Sequence, residues 1–195
     1  LIDVPQWGDI AWSSQTFSYM FNGCNNANFT AITATDVPDL TTNSVWNFYM
    51  AFAYTTNLAT INNFQNWDVS NVSTFYRFLL YNNAIDMNLS DWELRPAGTN
   101  LTQAFRPNLS VPSMTAEHWT DTLVGWAVKI YKNSGPYNVS STSSRALQVF
   151  DGTRTQDTNN AGSLTQTYAT KYGSDWTATG WTTAQDALNY LTTST

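Results

Sequence analysis

The hydrophobic pattern of this chain is a phrase written four times: two aromatic or apolar residues four apart, then a polar run. The copies are Phe17-Ser18-Tyr19-Met20-Phe21, Phe48-Tyr49-Met50-Ala51-Phe52, Phe75-Tyr76-Arg77-Phe78-Leu79 and Leu101-Thr102-Gln103-Ala104-Phe105. Their first residues are 31, 27 and 26 positions apart, a period that fits one unit of a repeat array. An i, i+4 spacing puts both apolar side chains on one face of a helical turn, so each phrase predicts a short buried helix. The polar runs, such as Asn22-Gly23-Cys24-Asn25-Asn26 and Tyr81-Asn82-Asn83, predict turns that tolerate left-handed backbone. Extended pieces follow over residues 29–32, 58–61, 85–89 and 109–111. Stacked at a near-constant period, they would form a parallel ladder with about 4.8 Å between neighbours.

From Ser113 the period changes. Thr115 is placed to cap a helix whose apolar positions Trp119, Leu123, Trp126, Ala127 and Ile130 recur at three- and four-residue intervals. The turn Lys132-Asn133-Ser134-Gly135-Pro136 ends it. A second helix is expected from about residue 162 to 172, carrying Leu164, Tyr168 and Tyr172 and stopped by Gly173. The stretch from Asp175 to Trp181 reads as a strand or turn, and Thr183 as the cap of a last helix with Ala187, Leu188 and Leu191.

A second signature follows two of the extended pieces: Trp67-Asp68-Val69-Ser70-Asn71-Val72 and Asp91-Trp92-Glu93-Leu94, with the tryptophans 25 residues apart. With the aromatic phrase and the Asn-rich turn, it resembles the BspA-like bacterial surface-protein repeat, a leucine-rich-repeat-like module. The resemblance covers residues 1–112 and, more loosely, the segment beyond. Arg77-Phe78-Leu79 departs from the family's Met-Phe ending, and Arg106-Pro107 stands where a small turn residue is usual. The resemblance implies an α/β chain: a short leucine-rich-repeat-like solenoid with a parallel β-ladder and helical turns, closed by a C-terminal α/β cap. The implied division is a repeat of about four coils over 1–112 and a helical or α/β cap over 113–195. No comparable cap precedes Trp7, so the first coil is expected to stack on a neighbouring domain or another copy.

Composition places this scaffold in a setting. Charged residues make up 11% of the chain and aromatics 15%, which suits an exposed, hydrogen-bonding surface more than a cytosolic enzyme. The formal net charge of −6 argues against nucleic acid or an anionic membrane as partner, since both reward clustered Lys and Arg. No run of 18 apolar residues occurs, so no membrane insertion is expected. The chain opens at Leu1 without an initiator Met, which reads as a piece of a longer exported protein. Cys24 is the single cysteine and reads as a small buried residue. Asn-x-Ser/Thr triplets at Asn28, Asn71, Asn88, Asn100, Asn108 and Asn138 could carry glycans, or arise from composition alone. The expected location is extracellular, on a cell or virion surface.

The chemistry-bearing residues fit that picture without a catalytic constellation. His118, the single histidine, lies beside Glu117 with no nucleophile placed near it, and reads as a helix-surface residue. One His and one Cys do not make a zinc site. Asp68, Asp91 and Glu93 recur near the same place in neighbouring units and could pair as glycosidase acids, although repeated acids more often cap turns. The loop from Asp151 to Asn160 has oxygen ligands but lacks EF-hand spacing. No catalytic residue, metal site or cofactor is assigned. Trp67, Trp92, Trp119 and Trp126 read as core, which leaves Trp12, Trp46, Tyr54, Tyr81 and Trp181 as surface binding candidates. The expected function is a non-catalytic recognition or adhesion module binding a protein or glycan through the repeat face or loop edges. The alternatives are a structural subunit of an external assembly, such as a phage or virus appendage, surface layer or fibre, and a carbohydrate-active enzyme.

Overall fold

The computed structural model describes residues 1–10, 15–42, 44–95, 99–101, 103–105, 114–134 and 168–192. In every phrase the third residue lies in left-handed backbone: φ is 60° at Tyr19, 53° at Met50, 57° at Arg77 and 55° at Gln103. A left-handed residue interrupts a right-handed helix, so the expected short helices are instead runs of tight turns. Backbone donors alternate along them. Met20, Asn22 and Cys24 donate to the carbonyls three residues back, whereas Phe17, Tyr19, Phe21 and Gly23 donate to Asn47, Tyr49, Ala51 and Ala53 of the next phrase at 2.8–3.0 Å. The second phrase repeats this, with Phe48, Met50, Phe52 and Tyr54 donating to Thr74, Tyr76, Phe78 and Leu80 of the third.

Because alternate donors point to the neighbouring phrase, the i and i+4 side chains both point inward and form stacks. Phe17 lies on Phe48 at 4.9 Å between ring centroids, Phe48 on Phe75 at 5.3 Å, and Phe21 on Phe52 at 5.0 Å. Trp67 and Trp92 complete this core, and Trp92 donates its indole N–H to the Phe64 carbonyl at 2.8 Å.

The extended pieces depart further from expectation. Among the described residues the strands are β1 (Ala31–Ile32) and β2 (Thr60–Ile61), paired in parallel as an unclosed two-stranded sheet, and the phrases add single parallel bridges at Thr16–Asn47, Asn47–Thr74 and Thr74–Asn100. Asn63, with φ 57°, ends the second strand and leads into a 3₁₀ turn over Phe64–Asn66. Residues 85–89 do not join, because side chains take their donors. The Asn82 carboxamide oxygen accepts the Ala84 and Ile85 N–H groups at 3.0 and 2.9 Å, and the Thr122 hydroxyl accepts that of Leu89 at 2.9 Å. Residues 109–111 lie outside the described residues. The expected leucine-rich-repeat-like solenoid with its parallel β-ladder is therefore corrected: the chain is a small mixed α/β fold with two short parallel strands.

Trp7 closes the near end of the aromatic core. It stands edge-on to Trp67 at 5.1 Å and packs on Phe17 at 5.8 Å and on Phe21 at 6.0 Å. Asp36 fixes it by accepting the Trp7 and Gly8 N–H groups at 2.9 and 2.8 Å, and Asp3 anchors the same segment by accepting the Thr33 N–H and hydroxyl. Trp7 thus packs the near end of the aromatic core with residues of this chain.

At the far end the described residues are helical, not α/β. Helix α1 (Ala116–Ser134) starts where the Thr115 hydroxyl accepts the His118 N–H at 3.2 Å, and lays Trp119 and Trp126 against Phe105. Residues 168–172 are helical. The stretch read as a strand or turn forms α2 (Ser174–Thr179), and α3 (Ala184–Thr192) follows a turn in which Asp186 accepts the Thr182 and Thr183 N–H groups at 2.8 Å. Both short helices pack on α1.

Candidate binding face

Side chains that point away from the core line up because the phrases are in register. The second and third positions place Tyr19 on Tyr49, edge to face at 5.0 Å, and Tyr49 on Tyr76, parallel at 5.5 Å. The Arg77 guanidinium lies over the Tyr76 ring at 4.9 Å and donates to the Gln103 carboxamide at 2.8 Å, which finishes this column with a cation. A second column is shorter: Tyr54 meets Tyr81 edge to face at 5.2 Å. Tyr19 is 53% exposed and Tyr54 40%. A hydrogen bond with Tyr49 holds the Tyr19 phenol above its ordinary value.

The charge layout sets this face apart. No charged or histidine residue occurs between Ile10 and Thr35 or between Leu40 and Trp67. The first two phrases therefore present only aromatic rings, methionines, carboxamides and hydroxyls. Such a surface offers apolar contact with directional hydrogen bonds and gives an ionic ligand nothing to pair with.

Of the sequence-derived candidates, Tyr54 and Tyr81 are brought together in the second column. Trp46, 45% exposed, enters the second phrase. Trp181 belongs elsewhere: it packs among Tyr131, Trp176 and Tyr190 where the C-terminal helices meet α1. Trp12 lies outside the described residues, as does the loop 151–160. Tyr19, Tyr49, Tyr76 and Arg77 were missed. Aligning the four phrases by their first apolar residue would have found them, because they fall on shared second and third positions. Trp67, Trp92, Trp119 and Trp126 are buried as expected.

Two of the acids hold turns or helix contacts. Asp68 accepts the Ser70 N–H and hydroxyl at 3.0 and 2.6 Å, and Glu93 accepts the Asn133 carboxamide N–H at 2.7 Å. Together with Asp91 they edge an open cleft of about 390 Å³. Burial holds Lys129, which donates to the Asp91 carbonyl, below its ordinary value. A larger open groove of about 540 Å³ runs between Asn62, Asn63, Asp86 and His118. There Asp86 accepts from His118 Nδ1 at 2.9 Å and from the Thr115 N–H at 2.8 Å, a network that fastens the start of α1 to the repeat. Among the described residues no cluster of three His, Cys, Asp or Glu side chains is placed to hold a metal ion, and no helix is long and apolar enough to cross a membrane.

Protein-family models, curated proteins and solved structures give no match to this chain.

Proposed function

We propose that this chain is a non-catalytic recognition or adhesion module displayed on the outside of a cell or particle, and that it binds a protein or glycan through the aromatic columns of its turn face. The observation that carries this reading is the pair of tyrosine columns that run from the uncharged first two phrases onto the third, where Arg77 ends the longer one. Rings already held by their neighbours lose little side-chain entropy on binding, and the surrounding amides and hydroxyls can orient a partner. The resemblance of Trp67-Asp68-Val69-Ser70-Asn71-Val72 to the BspA-like repeat supports an external adhesive setting.

The second reading is a structural subunit of an external assembly such as an appendage, surface layer or fibre. A specific observation favours it. The carbonyls of Asn47, Tyr49, Ala51 and Ala53 accept donors from the first phrase, but among the described residues no backbone donor reaches their counterparts on Thr16, Ser18, Met20 and Asn22. Leu1, Ile2 and Ile10, which are 59%, 64% and 45% exposed, belong to the same N-terminal end of the chain. An edge of open acceptors is a template for another unit. Light scattering across a hundredfold concentration range separates the two readings: a constant monomer mass supports recognition, and a mass that grows with concentration supports assembly.

A further inference from the structure

The last left-handed position of each phrase is occupied by Gly23 in the first, Tyr54 in the second and Tyr81 in the third, with φ of 71°, 61° and 60°. The register is the same throughout: Gly23 donates to the Ala53 carbonyl at 2.9 Å, as Tyr54 donates to that of Leu80 at 2.8 Å. Where the second and third phrases put two rings in contact at 5.2 Å, the first puts none over Tyr54. A Cβ built on Gly23 meets nothing within 4 Å. The column is therefore one ring short at position 23, which leaves an open notch beside Tyr54.

We propose that this notch is a subsite for one neutral hexopyranose ring of a surface glycan, an inference that rests on the recognition reading above. The C–H face of such a sugar would lie on the Tyr54 ring in the place a third tyrosine would take, removing apolar area on both sides from water. Its hydroxyls would meet the exposed carboxamides of Asn25 and Asn26 and the Thr56 hydroxyl. The rim is braced for this, because the Asn57 carboxamide N–H donates to the Asn25 carbonyl at 3.0 Å and ties the two phrases together. Charge selects the class: a sialylated or sulfated glycan finds no Lys or Arg between Ile10 and Thr35 or between Leu40 and Trp67.

Gly23→Tyr is the decisive variant. It fills the notch, and the fold already carries tyrosine at the same left-handed position twice; Tyr54→Ala removes the platform by a separate route. The probes are neutral hexasaccharides of glucose, mannose and galactose, titrated against the ¹⁵N-labelled chain. Expected are shifts centred on the amides of Gly23, Tyr54 and Asn57 with at least one of them, and at least tenfold weaker binding by each variant. Hexasaccharide binding that neither variant weakens would overturn the subsite while leaving the recognition reading in place. If no neutral hexasaccharide binds, the sugar assignment falls, and a tryptophan- or tyrosine-bearing peptide blocked by Gly23→Tyr would reassign the notch to protein recognition.

Discussion

Single residues in the phrases carry a conformational cost that the stack compensates. A left-handed non-glycine residue costs about 1–2 kcal/mol, and this chain holds one at the third position of every phrase. Met50 makes the point testable. Met50→Gly is expected to be neutral or stabilising by up to about 1 kcal/mol, and Met50→Val, whose branched side chain fits that backbone worst, to be destabilising by more than about 1 kcal/mol. Thermal melts of the two variants check the difference, and equal melting temperatures would show that position 50 relaxes out of the left-handed region. Asp36 supplies a pH test. The Trp7 and Gly8 N–H groups hold its carboxyl below the ordinary aspartate range, and hydrogen bonds from Thr33 do the same for Asp3. A carboxylate lowered on folding stabilises fully above its unfolded value, and that stabilisation is lost as pH falls through the folded one. Release of Trp7, seen as a red shift in tryptophan emission below about pH 4, should therefore precede the loss of helical ellipticity, and Asp36→Asn should abolish that early step.

At the scale of elements, the contact between α1 and the repeat is the tightest seam. A Cβ on Gly125 would come within 2.5 Å of both Cβ and the carbonyl oxygen of Ser90, so α1 approaches residues 89–90 only because position 125 lacks a side chain. Trp126 uses that approach to donate its indole N–H to the Leu89 carbonyl at 2.9 Å. Gly125→Ala is expected to cost about 1–3 kcal/mol by forcing α1 outward, and urea unfolding measures it; an unchanged midpoint would mean that the helix slides freely. The same seam explains what was legible beforehand. The buried faces of the phrases, the core tryptophans and the start of α1 follow from apolar spacing and from the Thr115 cap, signals written within a few residues. The backbone between them was not legible. An i, i+4 apolar pair fits a helix and a run of turns alike, and only the donor alternation between phrases decides. Residues 85–89 read as a strand, yet Asn82 and Thr122 capture their donors, and Thr122 is 33 positions from Leu89. The closing of the core by Trp7 was hidden for the same reason, since its anchor Asp36 is 29 residues away.

For the molecule as a whole, the two ends of the repeat are treated differently and the turn face is left open. Aromatic packing joins the core to Trp7 and to α1, while among the described residues the large exposed apolar side chains, Tyr19, Met20, Trp46 and Tyr54 included, all fall in the first 54. Charge is absent from the first two phrases and returns from Asp68 onward. Binding confined to the first two phrases should therefore be nearly insensitive to ionic strength, whereas a ligand that reaches the Arg77 end of the tyrosine column should respond to salt. The most direct test of this account is the binding of the purified chain, beside its Tyr49→Ser/Tyr54→Ser/Tyr76→Ser variant, to one array carrying neutral glycans, acidic glycans and surface proteins. The account predicts that the chain binds uncharged members of the array and that the variant loses at least tenfold with its melting temperature preserved within a few degrees. A chain that binds nothing, or a variant that binds as well as the parent, would contradict it.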